Sequence, residues 1–466
     1  MSPSQNPKSN PSKAVANPKF IFDVVIIGGG LSGLAAAVQL ALNGVQVAIV
    51  EQSSKLGGRC YSYVDTKTGD SIDNGQHVLL GAYTHTLNYL KLIGTQHFLK
   101  RFKKLSLPLF HPSLGFDEFE LSSLPKPFHL TVGMLKFKLL SIRQRHNLLR
   151  VGLFLRRWNT KIEKRLAGLT IEEWLNDLGQ SDHAKSCLWY PIAISVMNEL
   201  PERASALLFA RVLRTAFMGS KADSSIMIPL IGQTELYVRT ALDILRQHKG
   251  KIFFNREVKK LELSKMNIGG VRLTNGDLIP ARYVISSVPH LLLNKIIPEF
   301  LHSETPFSDL HKLNSSPIIS IHLWFDKEFM NLEYCGFIDS TLQWVFNKRK
   351  ILNDTSKPSS YLSSVISGAY NIVNLPKQKI LSLVLNDIHR AYPQSRQAKL
   401  IHSVVIKERR ATFSPDCLSN SIRPNTETLI NNFFLAGDWT NTGLPATIEG
   451  AVMSGFKAAS LVLQKH

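Results

Sequence analysis

The chain has 466 residues, 44% apolar and 19% charged, which excludes bulk disorder and allows roughly two or three domains. Lys plus Arg number 55 against 35 Asp plus Glu, and the net charge of +20 points to a polyanionic partner: nucleic acid, an anionic membrane or an acidic substrate. Cys60, Cys187, Cys335 and Cys417 lie far apart, which excludes a disulfide scaffold and a cysteine-rich zinc site and favours a reducing compartment.

Residues 1–19 are rich in Ser, Pro, Asn and Lys and have no apolar run, the pattern of a flexible tail rather than a signal peptide. From Asp23 to Glu51 there is no charged residue between the ends, a length that could cross a bilayer. Its internal order points elsewhere. Phe22 to Ile27 is a β-branched run, Gly28-Gly29-Gly30-Leu31-Ser32-Gly33 is a glycine turn, and Leu34 to Leu42 is Ala/Leu-rich and helical. Asn43-Gly44 stops that helix, and Val45 to Val50 is a second strand ending at Glu51 and Gln52. Strand, G-x-G-x-x-G turn, helix, strand and acid form a dinucleotide fingerprint. Gly28 permits the tight turn, Gly30 the approach of a pyrophosphate, and Gly33 the packing of helix on strand; Ser32 in the turn and Gln52 after the acid are further cofactor-binding candidates. The helix N-terminus offers free N–H groups to phosphate, and Glu51 can accept from ribose hydroxyls. Gly57-Gly58-Arg59 then gives a second close backbone approach and a guanidinium for phosphate.

From His97 to Arg165 there are fifteen Lys/Arg against four acids, so +11 of the net charge lies in one stretch. Basic and apolar residues interleave there, as in Met134-Leu135-Lys136-Phe137-Lys138 and Leu153-Phe154-Leu155-Arg156-Arg157, a pattern that suits a membrane interface. Further on, a helix is expected from about Thr234 to His248. Strands are expected at 251–255, 258–263, 271–274 and 283–289, with Asn275-Gly276 as a turn. Strands at 318–325 and 404–407 and a helix at 376–392 follow. Near the C-terminus, Asn432 to Ala436 is a strand ending at Gly437-Asp438, where a carboxylate can hold a hydroxyl. A helix then begins at Thr447-Ile448. There is no internal repeat, no second dinucleotide fingerprint, no G-x-S-x-G elbow and no P-loop. The fifteen histidines show no ligand spacing, so no metal site is expected. No zinc-finger, recognition-helix or RNP pattern supports a nucleic-acid partner.

The Gly-Gly-Arg element and the Ala436-Gly437-Asp438-Trp439-Thr440 to Gly455 run resemble the two halves of the FAD site in the flavin amine-oxidase and phytoene-desaturase superfamily. Three further stretches, Asp73-Asn74-Gly75-Gln76-His77, Tyr190 to Ala206 and Lys407 to Phe413, narrow the resemblance to the hydroxysqualene dehydroxylases, the squalene-associated FAD-dependent desaturase-like family. It covers about residues 22–463. Cys60, after Gly-Gly-Arg, and Gly232-Gln233 depart from the family pattern. The resemblance implies an α/β fold with a discontinuous Rossmann-like FAD-binding domain (20–85, 229–290 and 427–466). A mixed α+β, partly helical substrate domain (86–228 and 291–426) is inserted, its first piece mostly helical. It implies that Val258 contacts adenine through its backbone. It also implies a long apolar C30 isoprenoid substrate, reductive loss of an allylic hydroxyl and an external electron donor.

That chemistry needs an acid beside the flavin. His77 and Asp73 are the candidates, with Gln76 as an orienting donor. Trp189, Tyr190, Trp324, Phe325 and Trp344 are candidates for lining an apolar tunnel. Arg409 and Arg410 read as a solvated strand edge. A C30 isoprenoid has to enter from lipid, so residues 97–165 are expected to dock a cytoplasmic, peripherally bound protein on an anionic membrane. An oxidative desaturase or amine oxidase of the same fold, or a non-catalytic isoprenoid carrier, would carry much of the same pattern.

Overall fold

The uncharged stretch after Asp23 folds as strand Phe22–Ile27, helix Leu31–Leu42 and strand Val47–Val50. It is apolar because it is buried inside protein: ten of the twelve helix residues are buried, and so is every residue of the second strand. The computed structural model describes residues 22–122, 124, 128–220, 222–264, 267–305, 307–357 and 359–466. The tail expected at residues 1–19 lies outside them. Among the described residues no helix is long and apolar enough to cross a membrane.

Phe22–Ile27 pairs in parallel with Val47–Val50 on one side and with Leu278–Ser286 on the other. Lys251–Phe253 extends one edge, and Phe433–Leu435 pairs in parallel with the end of Leu278–Ser286. The hairpin of Val258–Ser264 and Asn267–Leu273 joins antiparallel through Leu278 to Pro280. Its second strand begins earlier than expected because Gly269-Gly270 masks it. Gly270 sits where a Cβ would come within 2.4 Å of the Ile279 carbonyl oxygen, so only glycine fits. The helix expected from Thr234 forms as a π turn, Glu235–Arg239, running into an α-helix at Thr240–Gln247.

A second seven-stranded sheet faces the first unit, in the order Leu400–Phe413, Ser315–Phe325, Ser360–Ser367, Trp344–Asn347, Tyr334–Phe337, Ser106–His111, Gly115–Glu120. Neighbours are antiparallel except the pair Tyr334–Phe337 and Ser106–His111. The first inserted segment, expected to be mostly helical, thus also completes a sheet edge with a hairpin. Helices between Phe128 and Met218 then pack into one apolar cluster with that edge.

A buried charge cluster ties the Ser62–Asp73 hairpin to the second sheet. Asp70 accepts from Arg349 through both oxygens (2.8 and 2.7 Å), from Lys357 (2.7 Å) and from Trp324 Nε1 (2.8 Å). Burial pushes the Asp70 carboxyl up, but the hydrogen bonds from Arg349, Lys357 and Trp324 outweigh it and hold it at about 2. This value lies below that of the unfolded chain. The stabilisation is therefore present above about pH 4 and is lost as pH falls through 2. Asp70→Asn should destabilise the fold by about 3 kcal/mol at neutral pH, read as a lower thermal midpoint. The gap from wild type should narrow between pH 4 and 2; a gap independent of pH would contradict the assignment.

Candidate active site

The glycine turn is built by close approach. Gly28 turns at φ +96°, which glycine adopts without penalty. At Gly33 a Cβ would come within 2.2 Å of the Gly28 carbonyl oxygen and 2.6 Å of Ser287 Oγ. The Leu31–Leu42 helix has Gly30 as N-cap and no side-chain cap, so its first-turn N–H groups are left to the cleft above it. Glu51 accepts from the N–H groups of Gly29 (2.7 Å) and Ser53 (2.8 Å), and so shapes the turn from the cleft wall. The Gly57 N–H donates to the Gly29 carbonyl at 2.8 Å, stacking the second glycine loop on the first.

The C-terminal segment closes the same cleft. Thr447 caps the Ile448–Lys465 helix, its Oγ1 accepting from the Gly450 N–H at 3.0 Å. Gly437 donates its N–H to Ser454 Oγ of that helix at 2.8 Å. Arg59 joins the halves: its guanidinium donates to Asp438 Oδ1 at 2.6 Å and to the Ala411 carbonyl at 2.7 Å. Asp438 raises the pKa of Arg59, which stays charged. The cleft, about 310 Å³, is lined by Gly28, Gly30, Ser32, Glu51, Gln52, Gly57, Gly58, Arg59, Val258, Gly437, Asp438, Thr447 and Ile448, with Gly33 beneath it. The free N–H groups at its first helix, its glycine loops and the carboxylates of Glu51 and Asp438 fit an elongated dinucleotide with phosphate in the middle. Cys60 also lines it, and burial pushes its thiol up to about 12, which leaves it protonated and inert.

A second cavity of about 340 Å³ lies between the sheets and the helices. The two cavities share Arg59, His77, Ala411, Thr412, Ala446, Thr447 and Ile448. Away from this seam the second cavity is mainly apolar, with Leu105, Leu107, Ile192, Val212, Leu213 and Ile226 in its wall. Of the expected tunnel aromatics, Trp344 lines it, beside Tyr83, Phe217, Tyr334 and Phe346, which sequence reasoning missed. Trp324 and Phe325 are buried in the second sheet, where Trp324 stacks on Tyr361 at 4.5 Å. Tyr190 donates to Glu172, and Trp189 packs in the helical core.

The Asp73 to His77 stretch divides in two. His77 stands at the seam; burial and, less, the Arg59 charge push its imidazole down to about 4. The ring is neutral at pH 7, which suits a hydrogen-bond donor and not a store of an extra proton. Gln76 lines the second cavity, and its Oε1 accepts from the buried Lys348 Nζ at 3.0 Å. Asp73 lines neither cavity. It accepts from the Gln233 N–H at 3.0 Å, and its other oxygen lies 3.7 Å from Lys348 Nζ, so it acts behind the wall, on position. The departure at Gln233 belongs to this brace, since its Nε2 donates to the Gly75 carbonyl at 2.7 Å.

The acid in contact with the cavity is Glu408, which the sequence reading passed over. A β-bulge explains the miss. Ser316 pairs with Thr412 and Ile318 with Glu408, so Arg409, Arg410 and Ala411 stand against Pro317 alone. Strict alternation would turn Arg410 inward. The bulge leaves Arg409 and Arg410 exposed and turns Glu408, Ala411 and Thr412 to the cavity. Also missed was Arg423, a buried guanidinium donating to the carbonyls of Asp438 (3.2 Å), Trp439 (3.3 Å) and Leu444 (2.8 Å), which braces the loop before Thr447. His111, His183 and Cys187 also come together, their nearest atoms within 4.8 Å. His111 Nδ1 accepts from the Ser113 N–H at 3.1 Å, which places the ring proton on Nε2, facing Asp339 at 3.4 Å. That tautomer suits a hydrogen-bonded cluster and not a metal ligand.

Two parallel-sheet glycine loops, a C-terminal helix aimed at the same cleft and an apolar cavity meeting it define a flavoenzyme. Residues 31–463 match the model of the flavin-containing amine oxidoreductases, and the chain belongs to that family. Within it, the chain belongs with the hydroxysqualene dehydroxylases: it is 30% identical to that of Zymomonas mobilis over 94% of this chain and 98% of the other. A 15-cis-phytoene desaturase of an Oncidium hybrid is 26% identical, over 96% of this chain and 79% of that one. The fold is that of an oxidoreductase from Methanosarcina mazei (TM-score 0.73, 16% identity, 94% and 99% of the two chains). It is also that of cyclohexylamine oxidase from Brevibacterium oxydans (TM-score 0.69, 17% identity, 95% and 99%). The protein is an FAD-dependent oxidoreductase, and the cleft residues fit that cofactor. Gly33→Ala should yield folded but colourless protein, because the Gly28 carbonyl must move away from the phosphate position; visible flavin absorbance equal to wild type would contradict this geometry.

Proposed function

We propose that the protein replaces the allylic hydroxyl of hydroxysqualene by hydrogen, giving squalene and water. One observation carries the reading: an apolar cavity opens on the FAD cleft along a narrow polar seam, in a chain similar along its whole length to enzymes of that name. Exchange of C–OH for C–H consumes one proton and one hydride. Bound FAD in its reduced form supplies the hydride. The apolar wall excludes water, which would recapture the allylic cation left when the C–O bond breaks. The faces of Tyr334, Trp344 and Phe346 offer that cation electron density. Glu408 passes on the proton that leaves with the hydroxyl as water, while the His77 N–H and the Gln76 amide orient the oxygen. The Val258 backbone takes the adenine end of the cofactor. Among the described residues one cleft fits a dinucleotide, so an external electron donor restores the reduced state.

Similarity to phytoene desaturase favours a second reading, in which an apolar polyene loses hydride in the same cavity. Product analysis separates the two. FAD-loaded protein given dithionite and hydroxysqualene should form squalene. Protein given phytoene and an oxidant should form no desaturated product; the opposite pattern overturns the proposal. Glu408→Gln should lower squalene formation by about 10²-fold or more with flavin content unchanged. Normal turnover in that variant would remove Glu408 from the proton step. Because His77 takes up a proton only near pH 4, the rate should show no break near the usual imidazole value of about 6.5 that vanishes in His77→Ala.

A further inference from the structure

The helix Ile142–Arg156 contains no acidic residue, and its outer face is not that of an ordinary surface helix. Ile142 is 72% and Leu153 55% exposed, and between and beside them stand the exposed Arg143, Arg150, Arg156 and Arg157. Among the described residues no carboxylate pairs with any of these four arginines. Elsewhere in the basic stretch Lys100 pairs with Glu333, Lys104 with Glu120 and Arg165 with Asp177, while Arg101, Lys103, Lys136, Lys138, Lys161 and Lys164 are likewise without a carboxylate among the described residues. What sets this helix face apart is that its unpaired arginines stand beside large exposed apolar side chains. Apolar tips that sink beneath a phosphate layer contacted by guanidinium groups make such a face stable. A nucleic-acid backbone would satisfy the arginines and leave Ile142 and Leu153 in water.

Behind this face lies a passage. A surface groove of about 520 Å³ runs between the helices Phe128–Lys136, Ile142–Arg156 and Ala206–Met218, with Leu153 and Arg156 at its rim. Beneath it a small void of about 20 Å³ shares Leu130, Met134, Gly152, Leu155 and Phe217 with the groove. The same void shares Ile192, Leu213 and Phe217 with the substrate cavity. Phe217 lines all three. The narrow point is held by side chains, of which Met134 is a flexible one.

We infer that this three-helix groove is the portal through which a lipid-borne apolar chain reaches the cavity, and that the basic face of Ile142–Arg156 docks it on an anionic phospholipid bilayer. The inference rests on the reading of the cavity as an isoprenoid site. Phe217 and Met134 swing aside to let a chain through, and the closed passage keeps water out afterwards.

Two arms test it on the FAD-loaded full chain. In the first, co-sedimentation is measured with phosphatidylcholine vesicles with and without phosphatidylglycerol. Binding should need the anionic lipid and weaken as salt rises. The triple variant Arg143→Ala, Arg150→Ala, Arg157→Ala should bind on the order of 100-fold more weakly. In the second, squalene is offered in anionic vesicles, and its arrival is read as a change in the flavin absorbance spectrum. Gly152→Leu plugs the passage without strain, since a Cβ there meets nothing within 4 Å. This variant should bind vesicles and flavin as wild type does but take up squalene at least about 10-fold more slowly. Binding indifferent to lipid charge or salt, or duplex DNA bound in preference to anionic vesicles, overturns the docking face. Absence of uptake by wild type, or unchanged uptake in Gly152→Leu, overturns the portal. Uptake that behaves as stated without squalene formation from hydroxysqualene overturns the dehydroxylase reading and leaves the portal standing.

Discussion

Two helices from opposite ends of the chain have to lie against each other with both N-termini at one cleft. Glycine makes this approach possible. A Cβ at Gly455 would come within 2.1 Å of the Ser32 carbonyl oxygen, so the Ile448–Lys465 helix can settle on Leu31–Leu42 only where side chains are absent. Both N-termini then open on the cleft, where their N–H groups favour negative charge. The Arg59–Asp438 ion pair, spanning 379 residues of sequence, fixes the loops above them. The same C-terminal helix also orients the chain as it leaves for the substrate lobe. Its Glu449 carboxylate accepts from the N–H groups of His85 (2.9 Å) and Thr86 (2.8 Å) at the start of helix Thr84–Leu92.

The second sheet supplies what the cofactor unit lacks, an apolar cavity that meets the cleft. Its strands bring Ile318, Phe346 and Val365 to the cavity, and the bulge opposite Pro317 brings Glu408. The charged side chains around the cavity fall into two groups. At or near the seam, Arg59, His77, Gln76, Glu408 and Thr412 line the second cavity. Behind the wall, Asp70, Asp73, Lys348 and Arg349 hold the wall in place without touching its contents. Burial pushes the Asp73 carboxyl up and the Lys348 ammonium down, so the pair persists only because each has partners, Gln233 for the one and Gln76 for the other.

The cofactor cleft was legible in the sequence because its constraints are local. The spacing of Gly28, Gly30 and Gly33 and the pair Gly57-Gly58 state directly where backbone must come close to a ligand or to itself. The C-terminal Gly437-Asp438 and Thr447 carry the same kind of signal. The cavity wall was much less legible. Phe217, Tyr334 and Phe346 look like any core aromatic until a fold brings three elements around one void, while Trp324 was bound instead to Asp70. Arg409 and Arg410 are solvated as expected, but that Glu408, Ala411 and Thr412 face the cavity depends on a bulge, a property of two paired strands that leaves no mark on one of them. Arg423 could not be placed from its neighbours, since its carbonyl acceptors lie fifteen or more residues away. The hairpin Ser106–Glu120 hid within a segment whose charge and later helices dominated the reading.

In the proposed reaction a C30 allylic alcohol meets reduced flavin at the seam and takes a hydride there. The most direct measurement is a single turnover in the absence of oxygen. The enzyme is photoreduced and mixed with hydroxysqualene, and the flavin absorbance is followed in time. Reappearance of oxidised flavin, with one squalene formed per flavin, is the predicted result. Flavin that stays reduced in the presence of bound hydroxysqualene would contradict the account.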